Sequence, residues 1–262
     1  MTYQQYVDHV LADSPLLYWP LVDDANDASG NANHATLATG SGLVDVLPTA
    51  CRGGAAFEIP AGSTGSAYAT WTGTLDTNAG NGLSVEFWLR VGTAFVATSI
   101  KAFSDTGTNK FQADISSASG SIRFSTSGST GRITVTDGTS PLNIWAHWVF
   151  TQDAAGSSRV YKNGVLVGGP STQTVGADFP DFKLSNGGQS GTSSQWQHAA
   201  VFNKELSAAR IAERYAIQAE DLYAFTSPDT SPVIFDTAVK DMPYSMGTPP
   251  PTTGQLWPRG NP

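Results

Sequence analysis

The sequence predicts an all-β fold: an antiparallel sandwich with a short helix before it, a closing helix after it and an extended Pro-rich tail. Three observations carry that reading. From Leu16 to Phe202, short runs rich in Val, Ile, Phe, Trp and Thr are separated by clusters of Gly, Asn, Asp and Ser at strand-plus-turn intervals. Charged residues make up only 14% of the 262-residue chain, well under the roughly one quarter usual in soluble globular proteins, and Gly, Ser, Thr, Ala and Asn fill the deficit. Asn163-Gly164, inside Arg159–Val167, supplies the positive φ values that a tight type I′ hairpin turn demands.

Taken in order, Tyr3, Tyr6, Val7, Val10 and Leu11 recur at helical spacing behind Thr2, a suitable N-cap, and Pro15 bars continuation, so residues 1–14 hold an amphipathic helix. The run around Tyr18-Trp19 reads as an entry strand, leading into the loop Asp27-Ala-Ser-Gly-Asn-Ala-Asn-His34. In Leu83–Val91 the residues Leu83, Val85, Phe87, Leu89 and Val91 form one apolar face, which leaves Trp88 on the more polar face with Ser84 and Glu86. Asn143–Phe150 carries large apolar groups on both faces and reads as a central strand covered on both sides, and Ala199–Phe202 reads as the last strand.

Ser207 then caps a helix over Ala208–Glu220, with Ile211, Tyr215 and either Ile217 or Ala219 turned inward, so the sandwich and its closing helix occupy residues 15–220. Residues 221–262 form the arm. From Phe225 onward it holds eight of the fifteen prolines, which predicts an extended path. Its apolar residues, Phe235, Met242, Tyr244, Leu256 and Trp257 among them, are too many for a freely solvated linker and are the expected partner-binding set.

The formal net charge of -8 argues against a general nucleic-acid binder, which needs clustered Lys and Arg to displace counterions. Cys51 is the only cysteine, so neither an intrachain disulfide nor a thiolate metal cluster can form. The N-terminus lacks the basic start and apolar run of a secretory signal, and no stretch is long and apolar enough to cross a bilayer. The composition suits an extracellular or particle-bound all-β protein; if it works outside a cell it does not leave by a visible secretory signal, a condition that assembly into a particle released by lysis would meet.

Several collinear pieces resemble the laminin G-like, or concanavalin A-like, lectin and glucanase superfamily: Tyr18-Trp19 with Asp27–His34, Gly53–Phe57, Ser84–Trp88, Trp145–Val149, Val160–Gly164 and Ala199–Ile211. Together they cover about residues 12–219. The resemblance implies a jelly roll of two facing antiparallel sheets with a helix after the last strand. The opening segment, Tyr3 to Pro20, is similar to that of minor tail or other virion proteins of tailed bacteriophages infecting actinobacteria.

Catalysis is not expected. Glycoside hydrolysis on such sandwiches commonly uses Glu-x-Asp-x-x-Glu, whereas Glu86 is followed by Phe87, Trp88, Leu89 and Arg90 in a chain with only five glutamates. None of His9, His34, His147 and His198 has a second His or Cys at metal-ligand spacing, and no Gly-x-Ser-x-Gly elbow occurs. Calcium is the one cofactor with candidate ligands, Asp23, Asp24 and Asp27, or alternatively Asp105 and Asn109; the favoured reading is that these residues serve turn geometry and side-chain-to-backbone hydrogen bonds. Sugar binding would need an exposed aromatic plate, for which Trp71, Trp88 and Trp196 are candidates, with Asn186 and Gln195 near Trp196 in sequence to meet hydroxyl groups.

The expected role is therefore a non-enzymatic virion component, a minor tail or decoration protein, that presents a lectin-like sandwich outward and docks by its terminal arm. Its expected partners are other virion proteins, a host-surface glycan and a second copy of the chain. The rival reading is a carbohydrate-binding adhesin or accessory module of a bacterial extracellular protein.

Overall fold

The structure, a computed structural model, describes residues 3–45, 55–61, 68–76, 82–92, 100–104, 111–115, 122–126, 133–136, 144–173, 179–185 and 193–226. Helix α1 spans Tyr3–Leu11 and buries Tyr6, Val7 and Val10, the stripe set by the helical spacing of its apolar residues. The strands follow as β1 (Leu17–Trp19), β2 (Thr36–Leu37), β3 (Gly42–Asp45), β4 (Ala55–Ile59), β5 (Ala69–Leu75), β6 (Leu83–Val91), β7 (Ile100–Phe103) and β8 (Phe111–Ile115). Then come β9 (Ile122–Thr126), β10 (Ile133–Val135), β11 (Ala146–Gln152), β12 (Ser157–Lys162), β13 (Val165–Thr172), β14 (Phe179–Leu184) and β15 (Ser194–Phe202), before helix α2 (Ala208–Thr226).

One layer is an eight-stranded sheet in the order β13-β12-β11-β6-β15-β4-β3, with β1 added along β15. Facing it are a four-stranded sheet, β10-β9-β8-β7, and a three-stranded sheet, β14-β5-β2, joined by a bridge in which Ser104 and Lys183 exchange backbone hydrogen bonds at 2.9 Å. The result is the expected antiparallel sandwich with two helices. Between the layers lies an aromatic core, in which Phe87 and Phe150 of the large sheet meet Phe103 of β7 and Phe124 of β9.

The large sheet is covered on its other face too. A second buried cluster joins Tyr6, Val7 and Val10 of α1 and Ile211 of α2 to Trp88, Val149, Tyr161 and Ala200 of the sheet. This explains why every residue of β11 is buried, as its two-sided apolar pattern predicts. The hairpin turn forms where expected: Asn163 (φ 51°) and Gly164 (φ 78°) join β12 to β13. Ser207 accepts a hydrogen bond from the Arg210 backbone N–H and caps α2. That helix runs to Thr226, past the expected end at Glu220, since no helix breaker intervenes before Pro228.

Candidate functional site

The densest polar chemistry in the described residues lies beneath the two helices. Alternation along β6 sends Val85 and Phe87 into the inter-sheet core and turns Glu86 and Trp88 to the helix side. Glu86 is fully buried, and its carboxylate is claimed from three directions. The Tyr6 hydroxyl of α1 donates to Glu86 Oε1 at 3.1 Å, His147 Nε2 of β11 lies 2.8 Å from the same oxygen, and the guanidinium of Arg214 on α2 pairs with Oε2. Burial alone raises the Glu86 carboxyl, but the Arg214 charge and the His147 contact outweigh it and bring the pKa down to about 2. Arg214, itself fully buried, also pairs with Asp13 at the end of α1.

Asp13 gathers further cations: Lys204 Nζ at 3.1 Å and Arg210 Nε at 2.6 Å. Burial raises its carboxyl as well, and the Arg210 hydrogen bond with the Arg214 and Lys204 contacts lowers it on balance to about 2. One network of alternating charge thus ties α1, α2 and the sheet together. Next to it, His198 sits in a bulge of β15 with φ 52°, where the strand exchanges its partner β4 for β1. Its ring is wholly buried, with Nδ1 2.6 Å from the Tyr18 hydroxyl.

The sequence-derived sugar plates are placed differently from that expectation. Trp196 is a core residue: it is fully buried among the inter-sheet aromatics, and its indole N–H donates to the Ala102 carbonyl at 3.1 Å. Alternation along β15 points it inward. Trp88 is also fully buried, with its N–H donating to Tyr6 at 3.0 Å, because the helices roof the face on which it lies. Trp71 is half-buried and packs against the inter-sheet core. Gln195 is nearly buried in a cross-strand row, donating to Glu58 and accepting from Arg90 at 3.2 Å. Asn186 lies outside the described residues, as do Cys51, Asp105 and Asn109, and so do Phe235, Met242, Tyr244, Leu256 and Trp257 of the arm.

Of the two readings of Asp23, Asp24 and Asp27, calcium ligands or turn formers, the geometry shows turn chemistry at Asp24 and Asp27. Asp27 Oδ1 accepts from the backbone N–H groups of Tyr18 and Ser29, and Oδ2 accepts from Ser29 Oγ and the Asn33 N–H, all within 3.0 Å. Asp24 accepts from Asn26 two residues on, while Asp23 is exposed. Both Asp27 oxygens are therefore already engaged. Among the described residues no group of three or more His, Cys, Asp or Glu side chains is placed to hold a metal ion. Asn31 and Asn33 fold the loop back on the entry strand, both donating to the Leu16 carbonyl.

Two surface features remain. On the three-stranded sheet, Lys183 Nζ lies 5.3 Å from the centre of the half-buried Tyr68 ring and 3.5 Å from Asp181, on the face that also carries Thr70 and Thr72. At the edge of the large sheet, Val165, Leu166 and Val167 are exposed. Sequence reasoning missed the Glu86–Arg214 pair. Its signal is present, however: Glu86 stands on the same strand face as Trp88, and Arg210 and Arg214 follow the Ser207 cap on one side of a helix.

Known structures of botulinum neurotoxin binding domains share this fold. The serotype C1 binding domain is 18% identical with a TM-score of 0.63, over 79% of this chain and 53% of that one. The neurotoxin DC binding domain in complex with SialylT is 16% identical with a TM-score of 0.64, over 79% and 52%. A type C structure tied to interaction with two ganglioside molecules is 15% identical with a TM-score of 0.65, over 81% and 53%. The likeness is one of fold, and the chain spans about half the length of those structures. No curated protein matches the sequence. The family profile described as the concanavalin A-like lectin/glucanases superfamily matches residues 63–212, more than half of the chain, and the chain belongs to that superfamily.

Proposed function

We propose that the chain is a non-enzymatic lectin-like module, a minor tail or decoration protein of a bacteriophage virion, that presents its sandwich outward and binds a host-surface glycan. The observation that carries the non-catalytic reading is the engagement of three of its carboxylates, Glu86, Asp13 and Asp27. Glu86 and Asp13 neutralise Arg214 and its neighbours beneath the helices, and Asp27 shapes a loop, so none of these three is free to protonate a glycosidic oxygen or attack a sugar. The glycan part is supported by the fold shared with binding domains whose structures concern SialylT and gangliosides. The virion context is supported by the charge-poor composition and by the similarity of the opening segment to phage virion proteins. The apolar, Pro-rich sequence after Thr226 supports an assembly arm.

A glycan array with the full chain tests the binding, and retention of no glycan would remove it. For the arm, a chain ending at Thr226 is expected to fold but to be lost from particles; unchanged incorporation would overturn that role. Mass spectrometry of purified particles against host lysate decides between the virion reading and an adhesin of the bacterium itself.

A further inference from the structure

We propose that α1 is an acid-released latch: protonation of His198, which α1 seals inside the protein, drives the N-terminal helix off the large sheet while the sandwich beneath stays closed. His198 occupies a left-handed backbone position, φ 52°, uncommon for a residue with a Cβ. Its backbone N–H donates to the Pro20 carbonyl at 3.0 Å, and its ring is held between tyrosines. Tyr18 of β1 stacks at 5.9 Å between centroids and meets Nδ1 with its hydroxyl. Tyr6 and Tyr3, both on α1, close the other side at 4.7 and 5.7 Å. The remaining ring nitrogen, Nε2, is buried and has no hydrogen-bond partner among the described residues. A second proton on that ring would place an N–H donor and a positive charge in an aromatic pocket without an acceptor for it.

The other charged groups around the pocket act as follows. Glu86 on β6 favours the imidazolium, but its carboxylate is already held by Arg214 of α2, and the neighbouring His147 on β11 disfavours a charge on His198. His9 on α1 resists protonation in the same sense as His198, through burial and the nearby Arg210 and Arg214. Asp13 holds the end of the helix to the cations of α2 and its approach, and it stays ionised in mild acid.

With burial the dominant cause, the His198 pKa is lowered from 6.5 to about 3 in the closed form. A group held neutral in the closed form and free to titrate in the open one favours opening as the pH falls through its ordinary pKa. The latch can open alone because α1 belongs to the outer cluster, whereas the inter-sheet core contains none of its residues. Chain connectivity places the pivot between α1 and β1, where Ser14 has φ 53° and precedes Pro15.

Hydrogen exchange of α1 amides, corrected for the intrinsic pH dependence and compared with β11, tests the proposal in the full chain. In a His9→Gln background, which removes the histidine carried by α1 itself, local opening of α1 is expected to rise about 25-fold between pH 7 and pH 5 while β11 stays protected. Adding His198→Asn, which tolerates the left-handed backbone, is expected to abolish that rise. A rise that persists in full in the double variant would overturn the proposal. Should that variant fail to fold, the single variant still decides: selective loss of protection in α1 sustains the latch, and equal loss in β11, or none, refutes it.

Discussion

Arg214 of α2 and Glu86 of β6 form an ion pair with no solvent exposure, in the middle of the face that the helices cover. Taking two charges out of water is costly, so the pair is tolerated because each partner has further contacts: Tyr6 and His147 on Glu86, Asp13 on Arg214. Removing one partner strands the other. Arg214→Met is expected to lower the unfolding free energy by about 3–5 kcal/mol in urea denaturation, and Glu86→Gln combined with Arg214→Met by clearly less than the sum of the single changes. Additive losses would mean that the two side chains stabilise independently.

Acid sensitivity follows from the same groups. Glu86 and Asp13 have folded pKa values of about 2, against 4.5 and 3.8 ordinarily. Depressed carboxylates contribute stability that is complete above their ordinary values and is lost as the pH falls toward the folded ones, so this part of the stability disappears between about pH 4.5 and 2. Urea midpoints measured across that window should fall steeply in the unaltered protein and less steeply in Glu86→Gln. A flat profile would show that neither carboxylate is preferentially ionised in the folded state.

Much of this architecture was legible from local pattern. The period-2 alternation of Leu83–Val91, the Asn163-Gly164 turn and the Ser207 cap each encode their element within a few residues, and each forms as read. What covers a strand face is not local. Trp88, on the more polar face of its strand, reads as a candidate aromatic plate because α1 and α2, which roof it, lie about eighty residues before and more than a hundred after it in the chain. Trp196 differs for another reason: facing is set by strand register, and the pairing of Trp196 with Leu89 and Phe57 turns the ring into the core, whatever polar residues stand near it in sequence.

Trp196→Ala is accordingly a stability variant. It empties a core site between the sheets, where Phe57 lies at 5.6 Å between ring centroids, and should cost about 3–5 kcal/mol in unfolding free energy. Any glycan bound by the unaltered protein should be bound equally well by the folded fraction of the variant at low temperature. Selective loss of glycan binding with unchanged stability would return Trp196 to the list of ligand-bearing residues.

Gly82 provides the sharpest backbone test, because it opens β6 at φ 88° and a Cβ there would meet the Gln152 carbonyl oxygen at 2.5 Å. The obstacle is main chain of β11, whose Gln152 pairs with Leu83, so it cannot turn aside as a side-chain tip would. Both the left-handed conformation and the contact oppose substitution, and Gly82→Ala should lower stability by about 2–3 kcal/mol. Gly30 makes the matched control: its φ is 89°, yet a Cβ there meets nothing within 4 Å, so Gly30→Ala carries only the conformational cost of about 1 kcal/mol. Urea midpoints that fall equally in the two variants would show that the β6–β11 main-chain contact is looser than this geometry requires.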